Sequence, residues 1–532
     1  MSDFENAKVL VKQGWLQGYQ EGNVKIFKGI PYAAPPVGAL RFRHPQDPEK
    51  WRGVRKATQY SAAAIQHVME VADMPANVHG VPQFMAPSQY EEDCLYLNVW
   101  TPAKTAEDKL PVFVWIHGGG MVAGSGCEVV CDGIGFAKRK DIVVVTINYR
   151  LGFFGFFAHP ELTAEAGGTS GNYALYDMRK ACMWVKENIA AFGGDPDRIT
   201  VAGQSGGAAG TGALHASPLM KGIINRVSIE SGPIYWGFMQ PGPRKTMEDL
   251  GVEYMNYVGC KDIAELRKKD AWELFDSYEA FQRSKGIGPM GFGFTFCIDG
   301  EFIPKAYSEI MDNHEFNDFD VLMGSCAQEF PAVKVDEYSV EQYRKYLEDA
   351  FADAAEDMKR WYPASNRIEA AKQVSTIASD IMLLGSAKIG ELTHAKGTNK
   401  AYIWLMSKEN ETERGHNDGS PHCAEMPYVF GRVDHGERNP FFPYHWVGAD
   451  YDFMELIQNY WYNFAATGDP NGEGLPEWKA YADKFDIINL NNHSGMMPKE
   501  QQEKYDYYYN KLQTNNYVVR LFGAPRFTSK DE

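Results

Sequence analysis

The chain reads as an α/β protein built on a mostly parallel sheet covered on both faces. Two observations carry this. Short, continuous apolar runs rich in β-branched residues alternate with stretches of helical spacing through the first half of the chain. One Gly-rich motif also sits between such a run and a small-residue helix. Leu110–Ile116 (LPVFVWI) and Asp141–Ile147 (DIVVVTI) are apolar at nearly every position, as strands buried on both faces are. Asn172–Phe192 places Leu175, Met178, Trp184, Val185 and Ile189 at helical spacing. Arg198–Gly203 (RITVAG) predicts a short strand, GGAAGTGA a helix, and Arg226–Glu230 (RVSIE) the next strand. Phe319–Met323 and Lys400–Met406 predict later strands of the same sheet. A charged helical stretch from about 340 to 395 lies between them and reads as a side or cap region.

Composition narrows the function. The 532 residues are 44% hydrophobic and 23% charged, enough to fill a large core, and they carry a net charge of −17. That acidity argues against nucleic acid and against anionic membrane as partners. Eight cysteines are too sparse for a disulfide scaffold, and the absence of any CxxC argues against a structural metal. The first residues lack the charged start and apolar run of a secretory signal, so a cytoplasmic location is expected.

Gly203-Gln204-Ser205-Gly206-Gly207 is a GxSxG between a strand and a Gly/Ala-rich helix. A sharp strand-to-helix turn pushes a serine hydroxyl out at the top of a sheet, and the helix N-terminus favours developing negative charge. Ser205 is therefore the candidate nucleophile. His117-Gly118-Gly119-Gly120 directly follows the strand Leu110–Ile116. Consecutive glycines leave backbone N–H groups free to converge on one oxygen, so Gly119 and Gly120, with Gly206, are candidate oxyanion donors. A phosphate loop would need a following Gly-Lys-Ser/Thr, which is missing. The acid and base should follow the serine in that order, on loops at strand ends. Spacing alone leaves many carboxylates open, and six histidines: 394, 416, 422, 435, 445 and 493.

Phe192–Gly207 (FGGDPDRITVAGQSGG) and Glu92–Asn98 (EDCLYLN) resemble the two signatures of the type-B carboxylesterase/cholinesterase family of α/β hydrolases. Lys28–Val37, Asn148–Gly152 and Asp299–Pro304 are similar to further family segments. The resemblance spans about residues 8 to 490. It implies one α/β-hydrolase domain over residues 1–532, with helices on both faces of a large, mainly parallel sheet. It also selects the remaining residues. Glu329, in Gly324-SCAQ-Glu329, matches the family acid. His422, in HCAEMPYVFG, matches the family base, and Ser231 in IESGP its partner of the acid. Gln204 stands where cholinesterases carry Glu, and Phe84 where they carry the Trp that faces choline. Both changes weaken a choline-ester reading. Met121 follows the triple glycine where the family commonly has Phe and, with Phe84 and Gln204, is a candidate substrate contact; Met290 and Phe292 fall where the family lines its acyl pocket, and Ala64 where Cys94 would find its disulfide partner.

The resemblance implies a serine carboxylic-ester hydrolase acting through an acyl-enzyme on small neutral esters, with no metal or organic cofactor. Two alternatives stay open. One is the same triad acting on amides, carbamates or thioesters, and the other is a non-catalytic interaction protein. The sequence leaves the oligomeric state open.

Overall fold

A computed structural model describes residue 4 and residues 6–66, 89–236, 239–287, 293–329, 339–409, 419–433 and 446–514. Eleven strands form the central sheet. They are β1 (Tyr19–Glu21), β2 (Val24–Pro31), β3 (Tyr96–Thr101), β4 (Leu110–Ile116), β5 (Val143–Ile147), β6 (Gly194–Gln204), β7 (Arg226–Glu230), β8 (Asp320–Cys326), β9 (Ala401–Met406), β10 (Ile487–Leu490) and β11 (Gly495–Met496). Their spatial order is β1-β2-β3-β5-β4-β6-β7-β8-β9-β10-β11. The strands from β5 across to β10 run parallel, and antiparallel pairs close both edges. A separate three-stranded sheet (Lys8–Val11, Gly14–Gln17, Val54–Lys56) precedes most of it in the chain.

The predicted apolar runs are strands with two buried faces. In β4, Val112, Val114 and Ile116 point into one core, and Phe113 and Trp115 into the other. Helices α1 (Tyr173–Asn188), α2 (Gly206–Ala216) and α3 (Arg367–Lys396) cover the first core. Helix α4 (Gly448–Thr467) covers the second with Phe453, Ile457, Trp461 and Phe464.

Two elements differ from their predicted bounds in ways that matter below. β6 begins at Gly194 rather than Arg198, because Gly194 pairs with Leu110 across an irregular register. β8 runs on to Cys326, past the predicted end at Met323, and so carries the chain close to Glu329.

The region from 340 to 395 contains three helices: Val340–Phe351, Ala355–Trp361 and α3. α3 starts on an Asn366 cap and stops at Gly397, whose φ of 74° lies in the left-handed region. It packs against β8 and β9, so this part of the region is a covering layer of the sheet. On its other side lies α5 (Lys499–Thr514). There the buried Asp380 of α3 accepts hydrogen bonds from Tyr362 (2.6 Å), Lys504 (2.6 Å) and Tyr505 (3.0 Å). Sandwiched in this way, α3 is buried on every side from Ser379 to Gly390.

Candidate active site

Because the inner strands are parallel, the loops leaving β4, β6, β8 and β9 emerge on one edge of the sheet. These loops carry the HGGG run, Ser205, Glu329 and His422.

Ser205 caps α2 with φ 57° and ψ −123°, a strained conformation for a residue with a Cβ, costing on the order of 1–3 kcal/mol. The surroundings hold it there. Its N–H donates to Glu230 C=O at 2.9 Å, and its own C=O accepts from Ala209 N–H at 3.0 Å. The two outer glycines of the motif make the close approach possible. A Cβ on Gly203 would lie 2.4 Å from Gly207 O, and one on Gly207 would lie 2.1 Å from Ile116 O. The side chain is half-buried, open enough to meet a substrate.

The loop after β4 turns back under Gly119, whose C=O accepts from both Val122 and Ala123 N–H at 3.0 Å. A Cβ on Gly206 would stand 2.9 Å from the Gly120 nitrogen, which places the Gly206 main chain against this loop. Among the described residues, none accepts a hydrogen bond from the N–H groups of Gly119, Gly120 or Gly206. Three donors close together with no internal partner suit an external oxygen. His117 supports the loop from below. It stacks on Tyr149 at 4.3 Å, accepts the Tyr149 hydroxyl on its C=O at 2.8 Å, and burial pulls its pKa down to about 4. Gln66 clamps the far end, donating to Gly124 C=O at 2.8 Å and accepting Gly124 N–H at 2.7 Å.

Glu128 lies under the same loop and accepts Ser125 N–H at 3.0 Å. Burial raises its carboxyl to about 8, above the ordinary carboxylate range. The unfolded chain ionises this group near its ordinary value while the native chain keeps the proton until about 8. Native stability therefore falls as pH climbs through that window. Glu128→Gln keeps the acceptor oxygen and removes the ionisation. Its Tm is expected to exceed that of wild type by several degrees at about pH 9 and to match it at about pH 5. Equal Tm gaps at the two pH values would contradict this.

His422 Nδ1 and Glu329 Oε2 are joined by a short hydrogen bond. Glu329 is fully buried, its Oε1 accepts Cys326 N–H at 2.5 Å, and its N–H donates to Ser379 Oγ of α3 at 2.7 Å. Burial alone would lower the His422 pKa. Charge and hydrogen bonding from Cys423 and Glu329 outweigh it and hold the imidazole well above its ordinary value. The Cys423 thiol is itself pushed up by burial and stays protonated near neutrality, so the Glu329 carboxylate is the charge that counts.

Ser205, Glu329 and His422 thus lie on loops at the shared edge, and the glycine loop meets the Gly206 main chain beside the serine. Other expected residues stand differently. Gln204 is buried, and its Nε2 lies 3.1 Å from His422 Nε2, so its carboxamide contacts the imidazole rather than an open substrate pocket. Met121 has φ 64°, which turns its side chain inward, its methyl against Gly210 of α2 and only 2% exposed. It belongs to the core that covers this face of the sheet. Ser231 Oγ is buried and makes no hydrogen bond among the described residues, so the expected contact with the acid is not made. Both Glu329 oxygens are already filled, by Cys326 N–H and His422. Phe84, Met290, Phe292 and His416 lie outside the described residues. Cys94 is a buried free thiol.

Sequence reasoning passed over Ser379, Gln66, Glu230 and Glu425. Glu425 had a visible signal, since it is the acidic residue of the HCAE segment that selected His422. The other three become legible only through tertiary contacts.

A strained serine elbow, an unpartnered trio of backbone donors and a buried Glu–His pair on one edge of a parallel sheet define the α/β-hydrolase class of serine hydrolases. The Carboxylesterase family model matches residues 5–508. The chain belongs to the carboxylesterase family, and its activity class is that of a carboxylesterase. It is 31% identical to the fumonisin B1 esterase of Sphingopyxis macrogoltabida, over 89% of this chain and 85% of that protein. It is 30% identical to the para-nitrobenzyl esterase of Bacillus subtilis (strain 168), over 89% of this chain and 92% of that one. Among solved structures, a PNB esterase superposes with a TM-score of 0.78 at 26% identity, covering 94% of this chain and 99% of that one.

Proposed function

We propose that the chain hydrolyses small neutral carboxylic esters through an acyl-enzyme formed on Ser205. The observation that carries this reading is the hydrogen bond between His422 Nδ1 and Glu329 Oε2, made between loops of two different strands beside the Ser205 elbow. With Nδ1 donating to the carboxylate, Nε2 is the unprotonated nitrogen; at rest it lies 3.1 Å from Gln204 Nε2, and it exchanges that contact for the Ser205 hydroxyl, whose proton it takes as Oγ attacks the ester carbonyl. The imidazolium that forms lies against the Glu329 carboxylate, which stabilises it. The N–H groups of Gly119, Gly120 and Gly206 receive the oxyanion. Collapse of the tetrahedral intermediate expels the alcohol, which leaves with the proton from His422. Water, deprotonated by the same nitrogen, then attacks the acyl-enzyme and releases the acid.

The neutral residue at position 204 leaves out the carboxylate whose field would draw cations to the site, which favours uncharged esters, and the acyl group proposed is aromatic or short to medium in length. Two relatives support an organic-ester substrate by their names, the fumonisin B1 esterase and the para-nitrobenzyl esterase. A relative named phenmedipham hydrolase keeps the related-bond alternative in the assay.

The test is a panel of p-nitrophenyl esters from acetate to laurate, with one p-nitrophenyl carbamate and one anilide. Wild type and Ser205→Ala are run side by side, with intact-mass detection of the acylated enzyme. Ester turnover with a burst of p-nitrophenol, an acyl adduct on Ser205 and loss of both in the variant are expected. Anilide or carbamate turnover exceeding that of every ester would move the reading to the other bond. Absence of any adduct, including with a fluorophosphonate, would overturn it.

A further inference from the structure

The loop that carries the oxyanion donors has little of its own to hold it. Residues 117–126 (HGGGMVAGSG) are half glycine, the most permissive backbone there is. Two of its N–H groups, those of Gly119 and Gly120, must nevertheless point at one place. In a trans peptide the C=O and the following N–H point in opposite directions, so a donor is aimed by holding the carbonyl behind it. Behind Gly120 N–H is Gly119 C=O, which accepts Ala123 N–H at 3.0 Å. Behind Gly119 N–H is Gly118 C=O, which lies 2.9 Å from His117 Nδ1 and 2.6 Å from where a Cβ on Gly124 would stand. Both donors are thus aimed from the returning limb of the loop, at Ala123 and Gly124.

Gln66 holds that limb. It precedes Gly124 by 58 residues and is only 6% exposed. Its Oε1 accepts Gly124 N–H at 2.7 Å, and its Nε2 donates to Gly124 C=O at 2.8 Å. One carboxamide therefore meets both the donor and the acceptor of one residue, as a neighbouring antiparallel strand would. Its other Nε2 proton goes to Ala64 C=O at 3.1 Å, which ties the carboxamide to its own segment. From the opposite side Glu128 Oε1 accepts Ser125 N–H at 3.0 Å, so the Gly124–Ser125 peptide is gripped at both ends. Gly124 has φ 99°, in the left-handed region, and a Cβ there would stand 2.5 Å from His117 Nδ1. With contacts this close, a shift of Gly124 passes on to Gly118 and Gly119.

We propose that Gln66 is a positioning residue for the oxyanion hole, locking Gly124 so that the Gly119 and Gly120 N–H groups converge on the substrate's carbonyl oxygen. This rests on the catalytic reading above and deepens it. No step of the acyl transfer uses Gln66 itself. The oxygen gains its charge only when Ser205 adds, so well-aimed donors favour the transition state over the bound ester. Loss of the clamp therefore shows in kcat and leaves KM nearly unchanged.

The experiment compares wild type, Gln66→Met and Gln66→Glu in the full chain. Methionine keeps the length of the side chain and removes both bonds to Gly124. Glutamate keeps the acceptor for Gly124 N–H and loses the donor to its C=O. Two things are measured: kcat and KM for p-nitrophenyl acetate, and the inhibition constant of an alkyl trifluoromethyl ketone. Ser205 Oγ adds to the ketone carbon, the C=O electron pair moves onto its oxygen, and the serine proton passes to His422. The adduct holds an oxyanion where the reaction forms one. Gln66→Met is expected to lower kcat by about 10- to 100-fold, with KM within about twofold. Its inhibition constant for the ketone should rise by the same factor as kcat/KM falls. Gln66→Glu should move the two quantities together as well, and it serves if the methionine variant folds poorly.

A residue that served folding alone would lower Tm and the amount of active enzyme while the inhibition constant stayed at its wild-type value. That result, or a rise in KM that accounts for the whole loss, overturns the inference and leaves the catalytic reading standing. A wild type that neither cleaves the ester nor binds the ketone overturns the catalytic reading and this inference with it.

Discussion

Replacing Ser205 or His422 with alanine is expected to lower kcat/KM for p-nitrophenyl acetate by about 10⁴- to 10⁶-fold, and replacing both should cost no more than either alone. The non-additivity follows from the geometry. Serine is a poor nucleophile without a base, and a base with no nucleophile has nothing to activate, so each single variant already removes the whole proton-transfer unit. Glu329→Gln should cost about 10⁴-fold, by leaving the ring without the carboxylate that fixes its tautomer. All three variants should keep Tm within a few degrees of wild type, because the strand-end loops are held by other bonds. These include Ser205 N–H to Glu230, Glu329 N–H to Ser379 and the packing of α3 on β8 and β9. The acid limb of the kcat/KM profile should lie above the ordinary histidine value, because the imidazole pKa is raised beside Glu329. Additive losses in Ser205→Ala/His422→Ala would mean that the two residues do not share a step. An acid limb below the ordinary value would mean that burial, not the carboxylate, governs the ring.

The parallel core was legible because a strand buried on both faces has no polar face to hide it. LPVFVWI predicts β4 to the residue. The antiparallel edge was not, because its strands are short and mixed. β1 is only Tyr19–Glu21, and β3 carries a buried Asn98 whose polarity is satisfied by Gly126 C=O and Thr146. Gly194–Asp197 reads as a turn by composition, yet pairing with β4 draws its start into β6.

At the site, residue types constrained by chemistry were legible, namely Ser205 in its motif and the glycines of the oxyanion loop. What a side chain touches was not. Ser231 is placed by backbone geometry next to the acid loop, its N–H on Gly324 C=O at 2.8 Å, but which donors fill a carboxylate depends on the turn after β8. Gln204 shows the same limit. Its position at the end of β6 is a sequence fact, while its contact with His422 depends on where a loop 218 residues away comes to rest.

Gly207→Ala is expected to have the second large effect, and it falls on packing before chemistry. An added Cβ would sit 2.1 Å from Ile116 O and 2.5 Å from His117 O. Both obstacles are backbone atoms, one in the middle of the parallel sheet, so no rotamer change relieves them. The register pairs Ile116 with Gly203, so β4 cannot retreat without breaking its pairing to β6. The helix α2 has to lift instead, by about 1 Å. Overpacking of this kind costs about 1–3 kcal/mol when side chains can yield, and here they cannot, so a loss of about 3 kcal/mol or more in stability is expected. The same lift carries Gly206 away from Gly120, and displacement of catalytic groups by about 1 Å costs about 10²-fold in rate. Thermal unfolding and kcat should therefore fall together in this variant. Gly448→Ala, at the start of α4 with no atom of the described residues within 4 Å of its would-be Cβ, should leave both near wild type. If Gly207→Ala kept the wild-type Tm and rate, the close contact between α2 and β4 could not be what holds Ser205 in its strained turn.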